Sequence, residues 1–251
     1  MQIADSKAII TGAASGLGEA TARAFRAAGA DVTILDRDAD RGRVVANEIG
    51  AGFQEVDVTD EVSVAHAVTG AAAAMDGLTV CVNCAGIATG EKTVGREGPH
   101  ALASFRRTID INLVGTFNVL RLAAAEMAKG EPDADGERGV IINTASVAAF
   151  EGQKGQAAYA ASKAGIAGMT LPVARDLGGL GIRVMAIAPG IFRTPMLEGL
   201  GEEIMNGLAV DVTCPKRLGD PAEYAALARF IVECGYLNGE VIRLDGALRM
   251  P

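Results

Sequence analysis

The chain predicts a single-domain α/β protein: a doubly wound parallel sheet flanked by helices. Short β-branched runs alternate with Ala-rich helical stretches almost to the end of the 251 residues. The runs are apolar at nearly every position, as strands buried on both faces are. No Pro/Gly/Ser linker, internal repeat or shift in composition divides the sequence.

The elements follow in order. Ala8-Ile9-Ile10 is a first strand, and the Gly-rich stretch after it opens a helix over 16–29. Val32 to Leu35 is a second strand ending at Asp36, with a helix over 41–49. Phe53 to Val56 is the third, running into Asp57-Val58 and a helix over 61–76. Thr79 to Val82 is the fourth, followed by Asn83-Cys84-Ala85-Gly86 and one long helix over 101–129. Val140 to Ile142, Val184 to Ile187 and Val241 to Leu244 complete the strands, with helices over 155–178 and 221–234. Three segments break the alternation. Positions 87–100 read as a polar loop, 130–139 as a solvated connection, and 191–219, after Pro189-Gly190, as a substrate lid. The first and last of these follow strand C-termini, the edge at which open α/β sheets bind ligands.

Thr11-Gly12-Ala-Ala-Ser15-Gly16-Leu17-Gly18 sits between a strand and a helix. Glycines there let backbone N–H groups approach a pyrophosphate at the helix N-terminus. That context makes the sheet Rossmann-type. Asp36 stands eighteen residues after Gly18, where a carboxylate accepts hydrogen bonds from ribose hydroxyls and repels a 2′-phosphate. NAD is therefore expected over NADP, although Arg37 next door could accommodate a phosphate. Asp57-Val58 could meet the adenine, and the small residues of Asn83-Cys84-Ala85-Gly86 leave room for the cofactor at the same edge.

Tyr159 and Lys163 stand one helical turn apart, with Ser146 thirteen positions before the tyrosine. A free phenol, with a pKa near ~10, is a poor acid–base catalyst at neutral pH. A lysine at i+4 shares its helical face and can favour the phenolate. Ser146 could hold a substrate oxygen against the same phenol.

Other chemistries find less support. A net charge of −8 argues against nucleic-acid binding, which usually needs a basic face. No apolar run is long enough to span a bilayer, and the N-terminus carries neither a charged n-region nor an apolar h-region. Cys81-x-x-Cys84 looks like a zinc or redox half-site, but His66 and His100 have no matching spacing, so no metal is expected.

The Thr-Gly-x-x-x-Gly-x-Gly loop, Asn83-x-Ala85-Gly86, Asn112 in Asp-Ile-Asn-Leu, Ser146, Tyr159-x-x-x-Lys163 and Pro189-Gly190 occur together and in order. In this the chain resembles the short-chain dehydrogenase/reductase family over its whole length. Segments 138–153, 217–225 and 238–247 resemble a branch of that family that interconverts 3-hydroxyacyl-CoA and 3-ketoacyl-CoA with NAD, accepts some hydroxysteroids and forms homotetramers. The resemblance implies that Tyr159 is the general acid–base and that Lys163 lowers its pKa and holds the nicotinamide ribose. It implies that Ser146 orients the substrate oxygen and that Asn112 supports a proton-relaying water. Ser15, Leu17, Asp36, Asp57, Val58, Cys84, Phe192 and Thr194 fall where such enzymes hold NAD, and Gln153 falls near the substrate. Animal members are mitochondrial; with no Arg- and Ser-rich presequence here, a cytoplasmic location is expected.

Overall fold

The computed structural model describes residues 1–96, 98–198 and 207–250. Seven strands form one parallel sheet: β1 (Lys7–Thr11), β2 (Asp31–Asp36), β3 (Gly52–Glu55), β4 (Val80–Asn83), β7 (Gly139–Thr144), β8 (Ile182–Pro189) and β9 (Val241–Leu244). Their order is β3-β2-β1-β4-β7-β8-β9, so the chain reverses its direction of winding between β1 and β4. That switch opens a crevice beyond the strand C-termini, the place where this architecture takes ligands.

Alternation along the strands divides the core in two. Ile10, Ile34, Val82, Ile142 and Ile187 face α1 (Gly16–Ala27), α2 (Ala39–Ile49) and α8 (Pro221–Glu233). Ile9, Leu35, Cys81, Ile141 and Val184 face α3 (Glu61–Ala74), α5 (Gly115–Met127) and α6 (Ala157–Gly178). Each fully buried aliphatic side chain contributes about 1.5–3 kcal/mol, so a sheet covered on both faces is strongly held. Helix starts are fixed by capping aspartates. Asp38 and Asp60 accept N–H bonds from Arg41 and Ser63, and Asp220 forms a reciprocal capping box with Glu223.

The long helix expected over 101–129 is divided. Leu102–Ile109 (α4) passes through a π-helical turn at Asp110–Val114 before α5 begins at Gly115. The segment expected as a loop at 87–100 holds a two-stranded hairpin, Val94–Gly95 (β5) with Gly98–Pro99 (β6). In the stretch after β8, Phe192 bridges to Gly219 and a short helix α7 spans Pro195–Glu198; positions 199–206 of the expected lid lie outside the described residues. No helix among the described residues is long and apolar enough to cross a membrane.

Candidate active site

A cavity of about 1190 Å³ lies at the switch point. The glycine loop, Asp36, Asp57-Val58, the Cys84–Gly86 segment, Ser146, Tyr159, Lys163, Pro189-Gly190, Phe192 and Thr194 all line it. Residues from seven segments of sequence thus meet along one sheet edge.

The glycine loop is shaped by close approach. A Cβ on Gly12 would lie 2.8 Å from the Ala85 backbone, and one on Gly18 would run into the Gly12 carbonyl. Gly12 also sits at φ +65°, in the region glycine tolerates best. Ser15 caps α1 without a side-chain capping bond, and among the described residues its hydroxyl has no partner. Asp36 does more than the sequence implied. One carboxylate oxygen accepts the Ala14 N–H at 2.9 Å and the other the Asp38 N–H at 3.0 Å, so it also ties the loop to β2. Asp57 accepts from the Thr59 hydroxyl and N–H at 2.7 and 2.9 Å, which hold its carboxyl below the usual range. A Gly18→Ala substitution is expected to cost about 1–3 kcal/mol of stability, because the methyl group must displace backbone. A thermal melt, together with NADH quenching titration, checks it.

At the other end, Lys163 is almost fully buried from α6, and its Nζ donates to the Thr144 carbonyl at 2.7 Å. Burial lowers its pKa to about 8, partly opposed by the Cys84 thiol nearby. The ammonium lies 5.7 Å from the centre of the Tyr159 ring. Tyr159 does not show the acidic phenol the i+4 spacing implied. Burial raises its pKa above the ordinary value, and the facing Ser146 hydroxyl pulls it only part of the way back. The physical reason is the position of the charge: the ammonium is turned into a backbone carbonyl and over the ring. Ser146 itself accepts the Ala148 N–H at 3.2 Å and caps a short 3₁₀ turn.

Asn112 is wholly buried in the π turn, and its amide is spent as a brace. Its Oδ1 accepts from Ile87 N at 2.8 Å, while Nδ2 donates to Ile87 O at 2.9 Å and to Ser162 Oγ at 3.0 Å. The π turn swings this amide under Gly86, where a Cβ would lie 3.1 Å from Asn112 Oδ1 and 3.7 Å from Lys163 Nζ. Such turns concentrate at functional sites.

Gln153 lies outside the main cavity. It lines a second one, of about 580 Å³, with Lys92, Thr93, Lys154 and Gln156. Gln156 belongs to both walls and is the residue that sequence reasoning missed there. Thr144 and Tyr224 were missed as well. Thr144 Oγ1 lies 2.7 Å from the Tyr224 hydroxyl and 2.6 Å from Asn83 O. Cys81 and Cys84 are free thiols, both pushed up by burial.

A glycine loop at a switch point, an acidic residue after β2, and a buried lysine one turn from a serine-facing tyrosine define a nicotinamide-dependent oxidoreductase. The chain belongs to the short-chain dehydrogenase family, whose pattern it matches over residues 6–204. It is 56% identical over 247 residues to human 3-hydroxyacyl-CoA dehydrogenase type-2, covering 97% of this chain and 95% of that protein. The crystal structure of 3-hydroxyacyl-CoA dehydrogenase type-2 from Mycobacterium avium superposes with a TM-score of 0.94 at 46% identity, covering 98% and 96% of the two chains. A 7α-hydroxysteroid dehydrogenase complexed with NADH and an oxo bile acid is similar at TM-score 0.90 and 29% identity, covering 100% and 96%.

Proposed function

We propose that this chain is an NAD-dependent dehydrogenase interconverting 3-hydroxyacyl-CoA and 3-ketoacyl-CoA. The reading rests above all on one observation: Ser146, Tyr159 and the buried ammonium of Lys163 share a cavity with a complete dinucleotide loop. Gly12, Ser15, Gly16, Leu17 and Gly18 would cradle the pyrophosphate. Asp36 would take the adenosine ribose, with Asp57 and Val58 at the adenine. Cys84, Ala85, Gly86, Pro189, Gly190, Phe192 and Thr194 would enclose the remainder, while Asn83, expected among them, is buried behind the cavity wall and donates to Asn143 Oδ1 at 2.9 Å. The tight Gly12 and Gly86 approaches leave the floor bare of side chains, as a dinucleotide requires.

In the oxidative direction Ser146 and Tyr159 hold the substrate hydroxyl, and the tyrosine oxygen takes its proton. Bound NAD supplies the hydride acceptor and, when oxidised, a positive charge beside the phenol. Lys163 adds a second cation, and Asn112 keeps the Gly86–Ile87 floor in place beneath it. The lid role of 191–219 belongs to the same reading.

The pH dependence has a definite sign. Ketone reduction needs a protonated Tyr159 and a charged Lys163, so its kcat is expected to fall as pH climbs through about 8, the lysine's lowered pKa. Alcohol oxidation needs the phenolate, and burial raises the Tyr159 pKa above its ordinary value, so its kcat rises only toward the alkaline end of the range. Profiles from pH 6 to 10 in both directions, on buffers of constant ionic strength, check this.

NADH is expected to exceed NADPH by about tenfold or more in kcat/KM, since a 2′-phosphate would meet the Asp36 carboxylate. Asp36→Ala should narrow that ratio while weakening NADH as well, because the Ala14 tie is lost. An NADH/NADPH rate ratio measured before and after the substitution is the check.

A hydroxysteroid is the second reading, favoured by the bile-acid relative. Comparing kcat/KM for acetoacetyl-CoA and a ketosteroid decides between them; a steroid preference overturns the acyl-CoA assignment. A homotetramer completes the proposal. Val114 and Phe117 on one helical stretch, and Phe230 and Tyr236 near α8, leave apolar surface exposed for subunit contacts. Light scattering in solution reads the subunit count.

A further inference from the structure

Beneath Lys163 the ends of β4 and β7 are joined by a chain of hydroxyl groups whose direction can be deduced. Thr144 Oγ1 lies 2.6 Å from the Asn83 carbonyl and 2.7 Å from the Tyr224 hydroxyl. A carbonyl only accepts, and at 2.6 Å, against 3.6 Å to the Cys84 sulfur, it takes the single Thr144 hydroxyl proton. Tyr224 must then be the donor to Thr144 Oγ1. Its own oxygen is left to accept from Cys84 Sγ, 3.7 Å away. The chain runs from the Cys84 thiol through the Tyr224 phenol and the Thr144 hydroxyl to the Asn83 carbonyl. Burial pushes the thiol and the phenol up in pKa, which keeps both protons in place.

The anchor comes from the far end of the sequence. Tyr224 belongs to α8, is fully buried, and packs in the core with Ala228 and Ile231. Thr144 is the last residue of β7, two positions before Ser146. Its carbonyl is the acceptor for Lys163 Nζ at 2.7 Å. One residue therefore carries both the lysine's acceptor and the hydroxyl that Tyr224 grips. On its side-chain face it is held by Tyr224 and Asn83; on its backbone side the ladder to Ile187 holds it.

We propose that Tyr224 is a positioning residue for the reaction, fixing through Thr144 the carbonyl that holds Lys163 and the strand end that delivers Ser146. The proposal rests on the catalytic reading of Lys163 and Tyr159 given above. Tyr224 is fully buried and is not among the residues lining the cavity, so its removal should slow turnover while leaving substrate affinity nearly alone. Phe fills the same space, and Thr144 keeps Asn83 as its acceptor, so Tyr224→Phe retains the fold.

The test is the kcat and KM of NADH-dependent acetoacetyl-CoA reduction in Tyr224→Phe, Thr144→Val, Thr144→Ser and the Tyr224→Phe/Thr144→Val double variant, with a thermal melt of each. Tyr224→Phe and Thr144→Val are each expected to lower kcat about five- to twentyfold, with KM within about twofold of wild type. The double variant should be no slower than the worse single one, because both cut the same link. Thr144→Ser, which restores a hydroxyl, should recover most of the rate lost in Thr144→Val. A wild-type kcat in Tyr224→Phe accompanied only by a lower melting temperature overturns the proposal, as do losses that multiply in the double variant. Tyr159→Phe and Lys163→Met separate the two levels of the argument. If those keep their activity, the catalytic reading itself fails. If they are inactive while Tyr224→Phe runs at the wild-type rate, only the positioning role fails.

Discussion

Tyr159→Phe is expected to lower kcat by about a thousandfold or more, with NADH affinity little changed. The phenol oxygen is placed against Ser146 and can move a proton, and positioned acid–base groups contribute about 10²–10⁴ in rate. Phe keeps the ring, so the packing of α6 and the 5.7 Å approach of the Lys163 ammonium survive. Loss of the hydroxyl therefore removes chemistry and leaves structure. Turnover with acetoacetyl-CoA, read beside an NADH fluorescence titration, separates the two. Retention of most of the rate would mean that another group carries the proton.

Lys163→Met is the second large effect, with kcat expected to fall about a hundred- to a thousandfold and cofactor affinity to weaken as well. Methionine fills the buried channel but donates nothing to the Thr144 carbonyl, which loses its charge-assisted partner. It also removes the cation that lies 5.7 Å from the centre of the Tyr159 ring, so reaching the phenolate becomes harder. Lys163→Arg should fare little better. The guanidinium is larger, and Nζ is packed close to Gly86, where even an added Cβ would lie 3.7 Å from it. Steady-state kinetics of both variants, with a melt to confirm folding, is the measurement; near-normal turnover in Lys163→Met would remove the lysine from the mechanism.

The sheet was legible because parallel strands covered on both faces must be written in unbroken β-branched runs. Ala8-Ile9-Ile10 and Val140-Ile141-Ile142 had no other reading between helices, and every expected strand is present, displaced at its ends by a few residues at most. The glycine loop was legible for the same kind of reason, since close backbone approach leaves a compositional trace. Other features leave none. Asp-Ile-Asn-Leu-Val contains neither Gly nor Pro, so nothing in 101–129 announces the π turn that brings Asn112 to the site. The β5–β6 hairpin is two residues a side, too short to show a period. Thr144 and Tyr224 are eighty positions apart and look like ordinary core residues until the fold stacks α8 on the sheet.

Tyr159 and Lys163 show the limit of spacing most clearly. A separation of four put both on one helical face, as helix geometry demands. It did not say where the ammonium would point. The Thr144 carbonyl captures it, and desolvation of the phenol outweighs the pull of the Ser146 hydroxyl. In the proposed mechanism further positive charge entering the cavity favours the phenolate, and an oxidised nicotinamide would supply it.

That claim can be read directly by light absorption. The chain has no tryptophan and three tyrosines, so phenolate absorbance near ~295 nm is unusually clean; Tyr224 stays protonated because burial raises it well above the ordinary value. Difference spectra of the wild type against Tyr159→Phe, titrated with and without saturating NAD⁺, isolate the one phenol. The account predicts that Tyr159 ionises above the ordinary tyrosine range in the free protein and at clearly lower pH in the NAD⁺ complex. A Tyr159 titration unmoved by NAD⁺ would contradict it.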